Sequence, residues 1–133
     1  MRSYFAYILF IFAIAVPMAV NAQTNRTVEV KMHKETVDRP SGLRIKFVGL
    51  GEDSRCPTDT NCVWAGNARI FIRVNGKRMA ARTLTLNSTT KPNVVTYGGY
   101  EFKLVDLTPH PRSNIRINPN GYQATIEISR VGH

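Results

Sequence analysis

The chain has 133 residues, 18 of them basic and nine acidic, for a formal charge of +9. Once a leader is set aside, about 110 residues remain, enough for one domain with a modest core and too few for two. The positive balance favours an acidic partner, but no block of five like charges appears, so solvated strand faces explain it before a nucleic-acid site does.

The first segment reads as an export signal. Met1-Arg2-Ser3 is cationic, an apolar run follows from Tyr4 to Val20, and Val20-Asn21-Ala22 ends in small residues. This pattern predicts a signal peptide over residues 1–22, cut before Gln23. A membrane anchor is the alternative, since about 17 apolar residues is the lower limit for a span. No cysteine lies near the cleavage site, so a bacterial lipid anchor is not expected. The mature protein is then expected outside the cytoplasm, with no transmembrane segment. It keeps 17 basic and nine acidic residues, a charge of +8.

Period-two patterning dominates residues 23–133. Thr27 to His33 alternates, with Val28, Val30 and Met32 on one face. Arg39-Pro40-Ser41-Gly42 predicts a turn. Leu43 to Leu50 is the next strand, expected to stop at Gly49 and Gly51. Ala68 to Val74 precedes Asn75-Gly76, a strong hairpin signal, and Arg78 to Leu86 is its expected partner. Val94–Tyr97, the Gly98-Gly99 turn and Tyr100–Leu107 predict a second hairpin. Pro109 and Pro111 must leave the sheet, because each removes a ladder donor. Tyr122 to Ser129 closes the domain. Seven or eight short strands predict an all-β fold. A small antiparallel β-barrel is expected ahead of a sandwich, because closure removes edges that aggregate. Up-and-down and five-stranded oligonucleotide-fold-like topologies both remain open.

No catalytic site and no cofactor or metal site is expected. His33, His110 and His133 have no convergent spacing, and no nucleophile, phosphate-loop or metal motif occurs. Asn25-Arg26-Thr27 and Asn87-Ser88-Thr89 match the N-glycosylation pattern by chance. Tyr97, Tyr100, Phe102 and Tyr122 interleave with basic residues, but tyrosines in strands more often fill or rim a barrel.

The distinctive stretch is Asp53 to Asn67, which holds both cysteines and the only tryptophan. In an oxidising compartment Cys56 and Cys62 most simply form one disulfide. A ring of that size stabilises by only about 2 to 2.5 kcal/mol, so it serves to hold one loop in one shape. Its polar tip must face solvent or a partner. Asp53 and Asp59 are expected to satisfy backbone N–H groups, and Arg55 to pair with one of them.

Asp-Ser-Arg-Cys-Pro, a short gap and Cys-Val-Trp-Ala-Gly-Asn-Ala resemble a motif of small exported bacterial β-proteins. Leu104 to Pro111 and Tyr122 to Ile126 resemble the same group. Size, export and small-barrel fold are further similar to the potempins, bacterial inhibitors of secreted peptidases. Potempins are typically lipid-anchored, and this chain lacks the anchoring cysteine. The resemblance implies a non-enzymatic, monomeric peptidase inhibitor, with a secreted or envelope peptidase, a metallopeptidase among the candidates, as partner. Its contact loop would be Asp53, Ser54, Arg55, Cys56, Pro57, Thr58, Asp59, Thr60, Asn61 and Cys62. Trp64 is expected to pack beneath as support. A loop that merely plugs one barrel end is the structural alternative. Two other functions remain open: an envelope protein binding polyanions such as glycan or nucleic acid through its basic surface, and an assembly protein.

Overall fold

A computed structural model describes residues 15–18 and 24–132, so the expected signal peptide lies, apart from 15–18, outside the described residues. Eight strands follow in order: β1 (Arg26–Lys31), β2 (Glu35–Asp38), β3 (Leu43–Asp53), β4 (Ala68–Asn75), β5 (Arg82–Asn87), β6 (Val94–Tyr97), β7 (Tyr100–Thr108) and β8 (Gln123–Arg130). They form two antiparallel four-stranded sheets, ordered β1-β8-β7-β6 and β2-β3-β4-β5. The all-β expectation holds, with eight strands among the described residues. Among the described residues no helix is long and apolar enough to cross a membrane.

Alternation explains the core. On β4, Ala68, Ile70, Ile72 and Val74 point inward, and Arg69 and Arg73 point out. On β8, Ala124, Ile126 and Ile128 do the same. These meet Leu43, Ile45 and Phe47 of β3 and Phe102, Leu104 and Leu107 of β7 in one apolar cluster between the sheets. Tyr97 and Tyr122 belong to that cluster, as expected of filling tyrosines.

Three local expectations are corrected. Gly49 and Gly51 do not end β3. They sit at two register shifts, Phe47/Gly49 and Leu50/Glu52, and the strand runs on to Asp53. Phe71 of β4 lies over both glycines, and a Cβ on Gly51 would stand 3.0 Å from its ring. The Asn75-Gly76 hairpin exists, but it is not a two-residue turn. Val74 pairs with Arg82, and Arg78 rather than Gly76 takes the left-handed conformation, at φ 60°. His33, expected in a strand, lies in a turn at φ 63°. By contrast, Gly98 and Gly99 link paired Tyr97 and Tyr100 as a tight hairpin, with φ values of 60° and 80°.

β2 joins β1 to β3 without any apolar pattern of its own. Its inward Asp38 is 3% exposed and accepts from both Nε and Nη2 of Arg26 and from Ser41 Oγ. The Arg26 hydrogen bonds hold the Asp38 carboxyl below the ordinary carboxylate range. The chain crosses between sheets at Met32–Lys34, where the Met32 N–H donates to Tyr122 O (2.8 Å) and the His33 N–H to Phe47 O (2.9 Å).

Candidate functional site

Since β3 ends at Asp53 and β4 starts at Ala68, the cysteine motif is the connection between two paired strands. Asp53 is the register partner of Ala68. Beyond that pair the neck continues through backbone bonds and one side chain. The Ser54 N–H donates to Asn67 O (2.8 Å), and the Asn67 N–H to Ser54 Oγ (3.0 Å). Further out, the Cys56 N–H reaches Ala65 O at 3.3 Å. The Cys56–Cys62 disulfide is present, with Cα atoms 5.8 Å apart, and closes the ring beyond this neck.

Two anchors seat the neck. Asp53 and Arg55 form a bidentate pair, Nε to Oδ1 at 2.7 Å and Nη2 to Oδ2 at 2.9 Å. Arg55 also donates to Leu107 O and, at 3.1 Å, to Pro109 O, the carbonyls freed where β7 ends at the prolines. Tyr122 Oη–H donates to Asp53 Oδ2 at 2.9 Å. Burial pushes the Asp53 carboxyl up, but the Arg55 and Tyr122 hydrogen bonds and the Arg55 charge outweigh it, and the net shift is downward. Burial and the Asp53 bond push the Tyr122 phenol up to about 12. A raised folded-state value adds stability that is complete below the unfolded value of 10.0 and is lost as pH rises toward 12. Urea denaturation across that range should therefore show weakening that Tyr122→Phe reduces. Equal weakening in both proteins would remove Tyr122 as its source.

The second anchor is Asn67, which is 4% exposed. Its amide donates to Asn87 Oδ1 (3.0 Å), and its Oδ1 accepts from the Thr89 N–H (3.2 Å). Asn87 in turn donates to Pro92 O at 3.1 Å. This buried amide pair ties the neck to the β5–β6 connection. Asn67 closes the distinctive stretch of the sequence but carried no role there, and Asn87 stood out only as the start of a chance sequon. Its 4% exposure leaves that amide inaccessible in the folded protein.

The ring tip leans on a third connection. The Thr58 N–H donates to Pro111 O (2.9 Å), and Asp59 Oδ1 accepts from the Ser113 N–H (2.9 Å). That bond holds the Asp59 carboxyl below its ordinary range. The acid does satisfy a backbone N–H, though in the β7–β8 connection rather than in its own turn.

No family model, curated protein or solved structure matches this chain.

The ten expected contact residues thus divide. Asp53 and Arg55 have side chains only 9% and 13% exposed and face the body of the protein, so Arg55 is an anchor rather than part of a tip entering a cleft. The Ser54 hydroxyl belongs to the neck, while Cys56 and Pro57 are half-buried. Thr58, Asp59, Thr60, Asn61 and Cys62 are exposed. Trp64 is the clear correction. Expected beneath the loop, it is 81% exposed, beside Val63 at 90%. The space under the neck is already occupied by Arg55, Asp53 and Tyr122, so the indole has no place there. Of the histidines, His33 Nε2 meets Asn120 Oδ1 (3.0 Å), and His110 lies 3.3 Å from Asp106. His133 is outside the described residues.

Proposed function

We propose that this chain is an exported, monomeric binding protein that inhibits a secreted peptidase through the loop from Thr58 to Ala65. The observation that carries this reading is the pairing of Val63 and Trp64, side by side and exposed on a loop with a fixed base. Large apolar side chains held in water by folded structure mark contact surfaces, and tryptophan is prominent among residues that dominate binding energy. A loop ordered beforehand by a disulfide, an ion pair and an amide pair avoids most of the entropy cost of docking. Thr58 to Cys62 supply polar groups around that apolar pair, as an interface rim does. In this reading the two sheets form the small barrel expected from the sequence. The Met32–Lys34 crossing is one of its seams, where Met32 bridges Phe47.

The test is titration of the purified protein against metallo-, serine and cysteine peptidases, with intact mass before and after. Stoichiometric loss of one activity is expected, with the protein uncleaved or nicked only between Cys56 and Cys62. Degradation, or no effect on all three classes, overturns the reading. Val63→Ala with Trp64→Ala should weaken inhibition by about thirtyfold or more. Stability should stay within about 0.5 kcal/mol, since neither side chain is packed. Cys56→Ser with Cys62→Ser should cost about 2 kcal/mol in urea denaturation and leave the protein folded, because the neck holds independently of the ring.

A polyanion binder is the second reading, and one observation favours it. Lys46 and Arg73 face each other as direct register partners on the outer side of β3 and β4. Like charges placed so are destabilising until an anion lies across them. Steep weakening of heparin or DNA binding with added salt would support that reading.

A further inference from the structure

We propose that the end of the molecule remote from the cysteine loop is a binding site for a phosphate monoester, built on Arg82 and Arg130. Strand alternation places three arginines at this end in line with core-facing rows, beyond the last buried residue of each: Arg26 is half-buried, and Arg82 and Arg130 are exposed. Arg26 shares a face with Val28 and Val30, Arg82 with Leu84 and Leu86, and Arg130 with Ile126 and Ile128. An inward charge is costly unless it is paired or reaches water. Arg26 is paired, bidentately, with buried Asp38. Among the described residues, Arg82 and Arg130 take part in no ion pair and no side-chain hydrogen bond. They open instead on one groove of about 660 Å³, shared with Thr96, Gly98, Gly99 and Tyr100, and among the described residues no acid lines it.

Both arginines are exposed, and an aromatic ring orients one of them. Arg130 lies over the Tyr100 ring, 5.9 Å from its centroid, and Arg26 lies 5.4 Å from the same ring. Such a contact orients a guanidinium while leaving its N–H donors free. Gly99, at φ 80°, carries no side chain, and a Cβ there would meet nothing within 4 Å, so the hairpin tip leaves the approach open. Two guanidinium forks match a tetrahedral oxyanion in geometry, and two charges match a dianion. A carboxylate would compensate only one of them. The groove runs from the two arginines past Thr96 to Val131, leaving room for the oxyanion to be the terminal group of a larger molecule, either a soluble ester or a lipid headgroup. This inference does not depend on the peptidase reading and concerns the opposite end of the fold.

The experiment is a titration of the protein, as purified after export, with inorganic phosphate at constant ionic strength, followed by amide NMR. Saturable shifts are expected at Gly98, Gly99, Tyr100 and Arg130. Arg82→Gln with Arg130→Gln should weaken binding by about tenfold or more. Lys46→Gln with Arg73→Gln removes the same charge from the outer face and should leave it intact. Arg82→Lys with Arg130→Lys keeps the charge without the fork and should fall between parent and glutamine variant. Because the two arginines make no ion pair or side-chain hydrogen bond among the described residues, and only Arg130 stacks on Tyr100, the glutamine variant should lose no more than about 1 kcal/mol of stability, which separates lost binding from lost folding. Glycerol phosphate and vesicles carrying phosphatidic acid then separate the two sources. Variant-sensitive binding to the first assigns a soluble ester, and variant-sensitive cosedimentation with the second a headgroup. Shifts that never saturate, equal loss in both charge-removed proteins, or vesicle binding that survives in the glutamine variant would each overturn the site.

Discussion

Gly66→Ala is expected to be among the most damaging single substitutions in this protein, at about 3 to 5 kcal/mol in urea denaturation. Gly66 holds φ at +69°, where a residue with a Cβ loses about 1 to 2 kcal/mol. A Cβ there would also stand 1.8 Å from the Ser54 carbonyl oxygen and 2.9 Å from the Arg55 Cα. Backbone cannot yield as a flexible side chain does, so the neck must part. The Ser54–Asn67 hydrogen bonds at 2.8 and 3.0 Å part with it, each contributing about 1 kcal/mol. Gly99→Ala is the control, since its φ is also positive but its surroundings are empty. It should show only the backbone term. If the two alanine variants lose equally, the close approach at Gly66 has no energetic weight.

Arg55→Ala should cost about as much, by a different route. It removes both bonds to Asp53 and the cap on the carbonyls of Leu107 and Pro109, and leaves a carboxylate 9% exposed with only Tyr122 as a partner. Breaking one side of a buried pair costs about 3 to 5 kcal/mol, most of it from the charge left behind. Arg55→Ala with Asp53→Asn should therefore lose less than the sum of the two single changes, by at least about 1 kcal/mol. Acidification gives an independent check. The folded-state Asp53 titrates below the ordinary carboxylate value of 3.8, so below about pH 4 the unfolded chain binds more protons than the folded one. Stability contributed by the pair is complete above that range and drains away as pH falls through the lower folded value. Asp38, also depressed, adds a slope of the same sign. The parent should lose stability between pH 5 and pH 3 more steeply than Asp53→Asn. Parallel profiles would show that the pair contributes nothing in water.

The strands were legible wherever apolar residues alternate over enough length. β4, β7 and β8 carry that signal, and their bounds differ from expectation by a residue or so. β2 escaped because its inward residue is Asp38, whose burial depends on an arginine twelve positions earlier. Periodicity cannot register a partner supplied from another strand. Arg78 to Ala81 were assigned to a strand, but the loop after β4 uses them to turn. In the cysteine motif the disulfide and the exposed tip were legible from composition alone. The direction of Trp64 was not, because a loop has no period to assign faces. Hydrophobicity argued for burial there, and the Arg55–Asp53–Tyr122 cluster had already claimed the volume. The tyrosine of that cluster comes from the start of the last strand, a contact no local reading joins to Asp53.

The burial of Asn87 has a practical consequence for making this protein. A host with a eukaryotic secretory pathway reads Asn87-Ser88-Thr89 on the emerging chain, before the neck and the β5–β6 connection have closed over it. A glycan attached at that moment cannot follow the side chain into a site where the amide contacts Asn67 and Pro92. Removing the acceptor by changing Thr89 is no remedy, since its hydroxyl also donates to the Gly66 carbonyl at the neck. Material from a glycosylating host should thus be heterogeneous and poorly folded, and a host without that modification is the one that yields the fold described above.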